Sequence, residues 1–462
     1  MGEQKTTDIG WRILPVKAEY QIPLPPLSNE EREFAKEIIT KFSEYSREHE
    51  TIEKEEIERA IGEIIEQNCR ENQIELGEDQ YRDILEACLS HISGFCGLEC
   101  PISDSDVEEV SVIGLGKPVY IYLRNSGWKR TNLVFSDEEL LIEVINKMGR
   151  EMGRRVTYQK PKLNAILPGG SRIHASIPPL SQGELTIRKF SSSPFAPWEL
   201  ALNGTLTFEA LSFLWCAMQF DLRMLVCGNT ASGKTTTLNA LFSFVPKNER
   251  VVAFEDTPEI RVLQPHFVRM IANEELGIGI KEMVWDSLRM RPDRVIVGEV
   301  RTREEVSGLV ETMLSGQAKG SYATMHAQSS QEAIQRMKNL GVSDMDCRSL
   351  DLTICQRRIS FYDAKTKRVG EKRRITEIAE VKKEGEIGVK MLFQYDEKKD
   401  CLIPQYLNST TFNRIASFLG ISKNEVLSEI SRREEFIRKL ARRKPTYEES
   451  FALIQKFTYG DD

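Results

Sequence analysis

The apolar run Met224-Leu225-Val226-Cys227 feeds directly into Gly228-Asn229-Thr230-Ala231-Ser232-Gly233-Lys234-Thr235, a complete G-x-x-x-x-G-K-T pattern. Downstream, Leu238, Leu241, Phe242 and Val245 recur at i, i+3, i+4 and i+7, so a strand, a glycine-rich loop and a helix are predicted in succession. Glycines let successive backbone N–H groups turn inward around phosphate oxygens, and the helix N-terminus adds partial positive charge. In such a loop Lys234 bridges the β- and γ-phosphates of ATP, and the Thr235 hydroxyl takes a coordination position on Mg²⁺. Gly228, Asn229, Thr230, Ala231, Ser232, Gly233, Lys234, Thr235 and Thr236 are the nucleotide-binding candidates.

Three further apolar runs each end in a polar group. Val251 to Phe254 leads to Glu255-Asp256-Thr257-Pro258-Glu259, Val295 to Val297 to Gly298-Glu299-Val300-Arg301, and Tyr322 to Met325 to His326. In a parallel α/β sheet ligands lie beyond the carboxyl ends of the strands, so these groups are expected to converge on the triphosphate. Glu299 is placed to organise Mg²⁺ and the attacking water, but the Asp that usually precedes such a Glu is Gly298. Glu255, Asp256 and Glu259 are the candidates for the missing carboxylate, as general base or through water to the metal. The bland alternative is a solvated turn opened by Pro258. For His326 the choice lies between sensing the γ-phosphate and an ordinary hydrogen-bonded strand end.

The chain has 462 residues, room for about three domains. Lys and Arg total 63 and Asp and Glu 70, a net charge of −7, which argues against a general nucleic-acid coat but not against a local basic patch. No apolar run reaches the ~18 residues of a membrane span; the richest, Leu211 to Met218, is too short, and no signal-peptide core opens the chain. A soluble protein is expected, with any membrane role exercised through a partner. The nine cysteines contain no C-x-x-C pair and read as free thiols of a reducing cytoplasm. Cys88, Cys96 and Cys100 cluster in sequence at a spacing that matches no standard zinc or iron–sulfur signature.

Residues 1–93 read as a mainly helical extension behind a proline-rich arm, Ile22 to Pro26, with Phe34, Ile38, Ile39 and Phe42 at helical spacing. Residues 94–190 form a small α/β unit, with strands predicted at Val110 to Val112, Val119 to Leu123 and Leu133 to Phe135 and a helix over Asp137 to Met152. Residues 191–200 are a Ser/Pro linker, 201–345 the nucleotide-binding core, and 346–462 its C-terminal part with a helical tail. Between Ser431 and Lys444 seven basic residues face two acidic ones, either a docking helix or a solvated face over a packed seam.

Together these residues resemble the secretion and pilus-assembly ATPase superfamily, the traffic ATPases of type II and type IV secretion, type IV pili and the archaeal archaellum motor. The loop Gly228 to Thr235, an acidic box at Glu255 to Glu259, a Gly-Glu Walker B within Val295 to Arg301 and a His box at Gly316 to His326 carry the likeness, with Leu288-Arg289-Met290-Arg291-Pro292-Asp293 as a specific string. It extends upstream through Leu163 to Arg172, Gly183 and Thr186 to Phe190, covers roughly residues 94–462, and is nearest the archaeal KlbA-type subgroup. The resemblance implies a RecA-like α/β ATPase domain behind a smaller α/β domain, an ATP- and Mg²⁺-dependent hydrolase, a homo-hexamer, and a cytoplasmic motor held at the membrane by an integral platform protein. It further implies that Arg172 and Arg188 reach phosphate across a domain or subunit boundary; the structural alternative is that each pairs with a nearby carboxylate.

Two departures stand out. The His box opens Gly316-Gln317 where the family has Gly-His, and Asn164 and Gly169 replace acidic residues near Arg172. The rival readings are a DNA-translocating RecA-like motor, opposed by net acidity and the lack of an aromatic-and-basic stripe, and a scaffold that binds nucleotide with little hydrolysis.

Overall fold

The structure, a computed structural model, describes residues 9–14, 17–48, 54–124, 126–150, 152–189, 194–273, 276–316, 318–363 and 367–460. The chain divides into two compact units, residues 1–191 and 192–462.

The first unit is built on strands β1 (Trp11–Ile13), β2 (Val107–Val112), β3 (Pro118–Leu123), β4 (Gly127–Phe135), β5 (Lys162–Ile166), β6 (Arg172–Ser176) and β7 (Glu184–Arg188). Every neighbouring pair is antiparallel, in the order β1-β4-β3-β2-β7-β6-β5. Side chains alternate across such a sheet, so Leu163, Ala165, Ile173, Ala175, Leu185 and Ile187 turn inward. Helices α1 (Asn29–Glu48), α2 (Lys54–Asn72), α3 (Glu78–Ile92), α4 (Glu99–Ser103) and α5 (Glu138–Arg150) accompany it. Ile38, Ile61, Ile65 and Ile84 share one continuous core with Val110, Ile121 and Ile173, so the segment read as a leading extension is packed into the same body as the sheet. Even the arm is tied down: Asn132 accepts from the Ile22 N–H at 2.7 Å and donates to its carbonyl at 3.2 Å, and Trp11 to Ile13 supply the edge strand.

In the second unit a nine-stranded sheet runs β10-β9-β11-β12-β8-β13-β14-β15-β16. Its strands are β8 (Arg223–Gly228), β9 (Val251–Glu255), β10 (Phe267–Ile271), β11 (Arg294–Val300), β12 (Gly320–Met325), β13 (Leu352–Asp363), β14 (Arg368–Val381), β15 (Val389–Asp396) and β16 (Cys401–Pro404). The six strands from β10 to β13 are parallel, and β14 to β16 add an antiparallel meander. Both faces of the parallel part are covered, which is why its strands read as unbroken apolar runs. Met224, Val226, Val251, Ala253, Ile296 and Tyr322 enter one core. Leu225, Cys227, Val252, Phe254, Val295, Val297, Ala323 and Met325 enter the other.

The covering helices are α6 (Pro197–Leu202), α7 (Phe208–Met218), α8 (Lys234–Phe242), α9 (Ile280–Ser287), α10 (Arg303–Leu314), α11 (Ser330–Asn339), α12 (Asp344–Cys347), α13 (Thr410–Leu419), α14 (Lys423–Arg443) and α15 (Tyr447–Tyr459). The apolar stretch Leu211 to Met218 lies in α7 and is buried all round. Among the described residues no helix is long and apolar enough to cross a membrane. The basic run of α14 is laid over aromatic rings and paired along its own helix. Arg432, Arg433 and Arg438 lie 4.2, 5.2 and 4.3 Å from the ring centres of Phe457, Trp215 and Phe208, and Glu429 and Glu434 accept their N–H groups. This is the packed-seam alternative.

Candidate active site

Strand β8 ends at Gly228, where any side chain is excluded: a Cβ there would lie 1.9 Å from the Gln356 carbonyl on β13. Asn229 then pins the loop to the same strand, donating to the Arg358 carbonyl at 3.0 Å and accepting its N–H at 2.8 Å. Gly233 closes the turn at φ 96° and caps α8. The loop has the character of an anion cradle. Lys234 is 8% exposed, and its ammonium lies 3.4 Å from the Gly228 carbonyl, 3.5 Å from that of Asn229 and 4.0 Å from Glu299. The buried Ser232 hydroxyl has no hydrogen-bond partner among the described residues. A buried cation beside a buried hydroxyl that has no partner among the described residues fits a phosphate group.

The acidic loop after β9 is fastened to the helix of the phosphate loop. Thr235 and Asn239 lie four residues apart on one face of α8. The Thr235 hydroxyl donates to Glu259 Oε2 at 2.9 Å. Asn239 donates to the Glu259 carbonyl at 3.1 Å and accepts the Arg261 N–H at 2.9 Å. From α15, the buried Tyr447 hydroxyl lies 3.1 Å from the Asn239 carbonyl and 3.0 Å from that of Arg261. Glu255 is 1% exposed and spends its oxygens on structure: Oε1 accepts the N–H groups of Glu259 and Ile260 at 2.7 and 2.8 Å, and Oε2 faces Arg269 at 3.1 Å. Burial pushes its pKa up against those bonds. Of the three acidic candidates, Glu255 therefore shapes the loop, while Glu259 and Asp256 present their carboxylates.

Glu299, near the end of β11, is the meeting point. Its Oε1 lies 2.8 Å from His326 Nε2 at the end of β12, and Oε2 accepts from Arg301 Nε at 2.7 Å. Arg301 in turn stands 3.5 Å from Asp256. Burial, then the positive charge of Lys234, lowers the His326 pKa below the usual histidine value despite the opposing pull of Glu299. That shift favours the neutral imidazole, which faces the carboxylate through Nε2. Gly298 has its own reason: a Cβ there would press to 3.1 Å on Glu255 Cγ, so an Asp before Glu299 would displace the residue that shapes the acidic loop. The carboxylate in contact with the Thr235 hydroxyl is that of Glu259. The Thr235 hydroxyl with Glu259 and Glu299 is a sparse donor set, suited to Mg²⁺ held jointly with phosphate oxygens rather than in an all-protein cage.

Arg172 and Arg188, in the first unit, are direct cross-strand partners on β6 and β7, and both are exposed. Neither has an ion pair among the described residues, although like charges placed opposite each other repel. Asn164 bonds His174 at 2.7 Å rather than either arginine. Gln317 lies outside the described residues. All nine cysteines are free; Cys88 and Cys96 are buried, and among the described residues no group of three or more His, Cys, Asp or Glu is arranged to hold a metal.

Sequence reasoning passed over Asn239, Arg301, Gln356 and Arg373. The first two carried a signal, Asn239 by its four-residue spacing from Thr235 and Arg301 by its two-residue spacing from Glu299 at the end of a strand. The buried Gln356, which accepts the Thr237 hydroxyl at 2.6 Å, and Arg373, whose Nε donates to the Ala231 carbonyl at 3.0 Å, carried none, because only strand pairing brings them to the loop.

Comparison with known proteins identifies the family. The family described as Type II/IV secretion system protein matches residues 108–436, well over half of the chain. Uncharacterized protein MJ0781 of Methanocaldococcus jannaschii is 36% identical over 244 residues, covering 50% of this chain and 34% of that protein. A putative conjugal transfer protein of Mycobacterium tuberculosis is 31% identical over 281 residues, covering 58% and 78%. Among solved structures, the Legionella pneumophila ATPase DotB aligns over 79% of this chain and 90% of its own, at 17% identity and a TM-score of 0.45. The chain spans only 34% and 60% of the length of two of its Methanocaldococcus relatives. With the phosphate loop, the acidic box and the Gly-Glu pair all inside the matched region, the chain belongs to the type II/IV secretion system protein family.

Proposed function

We propose that the chain is an Mg²⁺-dependent ATP hydrolase whose turnover drives assembly of a pilus-like filament or secretion through a membrane platform. The observation that carries this reading is the convergence on Glu299 of the phosphate-loop lysine, the His326 imidazole and Arg301, with Glu259 on the Thr235 hydroxyl beside them. Lys234 and the loop amides bind the phosphates. Thr235, Glu259 and Glu299 would hold Mg²⁺, which when bound neutralises charge on the phosphate oxygens. Glu299 takes the proton of the attacking water at a carboxylate oxygen, and His326 keeps that carboxylate oriented through Nε2–H.

Arg172 and Arg188 supply the remaining positive charge when the first unit closes on a nucleotide site, its own or that of a neighbouring subunit. Charge spreading onto the phosphoryl oxygens is then met only in the closed state, which makes nucleotide occupancy and closure one event. Both are solvent-exposed, and Arg172, which has no ion pair among the described residues, supports this role over a structural one; Arg188 also faces Glu109 on β2, so a share of its charge is met within the sheet. In the same reading the chain works as a homo-hexameric ring in the cytoplasm, docked on an integral membrane partner. Glu299→Gln is expected to bind ATP and lose phosphate release; equal release by variant and wild type would favour the non-hydrolysing scaffold.

One observation favours the DNA-moving alternative. The β13–β14 ribbon exposes Phe361 and Arg357 on one face and Tyr362 on the other, aromatic and basic residues within an acidic chain. ATP turnover stimulated by single-stranded DNA would establish that reading; unchanged turnover would leave the filament or secretion motor.

A further inference from the structure

Strands β13 and β14 outrun the sheet. β13 pairs with β8 only through Gln356, while its pairing with β14 continues to Asp363, so a two-stranded ribbon passes beside the phosphate loop and beyond it. Arg358 and Arg373 are direct cross-strand partners on this ribbon. Both touch the loop: the Arg358 backbone is clasped by Asn229, and Arg373 Nε donates to the Ala231 carbonyl at 3.0 Å. The Arg373 side chain also packs close to Gly233, with Cδ 3.7 Å from where a Cβ would stand.

The charges on this face are poorly matched. On the opposite face Arg374 and Lys372 share Asp400, at 2.8 and 2.9 Å. On the loop face Arg358 has Glu371 only at 3.8 Å, and Arg373 has no carboxylate partner among the described residues. Arg373 is half-buried, its Nη atoms are not hydrogen-bonded among the described residues, and a second guanidinium stands directly opposite. Like charges so placed repel, and a half-desolvated cation without a counter-ion is costly. A bound anion relieves both.

Which anion follows from the strand order. Glu255, Glu299 and His326 stand on β9, β11 and β12, all on one side of β8, and the ribbon stands on the other. A polyphosphate seated on the loop with its terminal phosphate toward Lys234 and Glu299 runs back toward the ribbon. We propose that Arg373, with Arg358 opposite it, forms a guanidinium subsite for the inner phosphates of a nucleoside di- or triphosphate, at the end remote from the bond that is cleaved. The proposal rests on the nucleotide-binding reading of the loop. Since the inner phosphates are common to ADP and ATP, the subsite sets affinity for both alike and does not distinguish them.

The test is titration of the full chain with fluorescent N-methylanthraniloyl ADP and ATP, comparing wild type, Arg373→Ala, Arg373→Lys and Lys234→Ala. Loss of a charge-assisted contact is expected to weaken binding of both nucleotides about tenfold to a hundredfold in Arg373→Ala, by the same factor for each, with partial recovery in Arg373→Lys. Without nucleotide, the melting temperature of Arg373→Ala should fall by a few degrees at most, from loss of the Nε hydrogen bond to the Ala231 carbonyl, since no ion pair is lost with it; if the alanine variant does not fold, Arg373→Gln and Arg373→Lys decide by the same titration. Affinity within twofold of wild type in Arg373→Ala, while Lys234→Ala abolishes binding, overturns the subsite. So does a loss confined to ATP, which would put the guanidinium on the terminal phosphate. A wild-type protein that binds neither nucleotide overturns the reading of the loop itself, a different result from either.

Discussion

Asn239→Ala isolates the joint between the phosphate-loop helix and the acidic loop. The asparagine removes itself cleanly from two hydrogen bonds, to the Glu259 carbonyl at 3.1 Å and from the Arg261 N–H at 2.9 Å, and touches no group proposed to meet substrate. At about 1 kcal/mol net for each bond, roughly 2 kcal/mol of the fastening is lost. Glu255 and Tyr447 still hold the loop at other points, so it loosens rather than unfolds. Two kcal/mol corresponds to about a thirtyfold change in the population of the fastened loop. Because Glu259 belongs to the metal donor set only when fastened, the free Mg²⁺ concentration that half-saturates ATP turnover should rise by up to about that factor. Binding of nucleotide in EDTA, which depends on Lys234 and the loop amides, should be unchanged. The assay is phosphate release against free Mg²⁺ at fixed ATP, with fluorescent ADP titrated in EDTA alongside. A folded Asn239→Ala protein with the wild-type Mg²⁺ dependence would refute the idea that the loop is positioned through α8.

Gly228→Ala places a methyl group 1.9 Å from the Gln356 carbonyl, so β8 and β13 must part; the variant should be destabilised by about 3 kcal/mol or more in thermal or urea melting and lose nucleotide binding. Alanine at both Arg172 and Arg188 should leave nucleotide affinity within a few-fold and cut ATP turnover of the assembled protein by about a hundredfold or more; undiminished turnover would end the closure mechanism. His91 is half-buried, its buried Nδ1 lacks a partner among the described residues, and desolvation followed by the Lys147 charge lowers its pKa to about 4. A histidine depressed from about 6.5 contributes stability that is fully present above that value and is lost as pH falls toward 4, on the order of 3 kcal/mol. Circular dichroism of the full chain should accordingly show the first unit weakening between pH 6.5 and 4, and His91→Phe should flatten that limb.

Much of the site was legible because its chemistry is written in local spacing. Gly228 to Thr235 specify a turn that only that residue pattern makes, and the apolar runs before Glu255, Glu299 and His326 mark parallel strands that deliver their ends to one edge. Which acidic residue does what was not legible. Glu255, Asp256 and Glu259 are interchangeable in a string, and only packing shows Glu255 buried on two backbone N–H groups while Glu259 reaches Thr235. The packing of residues 29–92 against the first sheet also escaped sequence reading, since an amphipathic helix carries no label for the surface that covers it.

What the amino-acid order determines here is the phosphate loop, the strand and helix that flank it, and the buried parallel strands, because each depends on contacts within a few residues. The loop's second wall was decided by tertiary structure alone. Gln356, Arg358 and Arg373 lie more than a hundred residues from Gly228, and nothing in their own neighbourhoods sets them apart from the other polar and basic residues of an alternating strand. They matter because β13 pairs in register with β8 and β14 folds back on β13, and that pairing is set by burial of the whole sheet between two cores rather than by any motif.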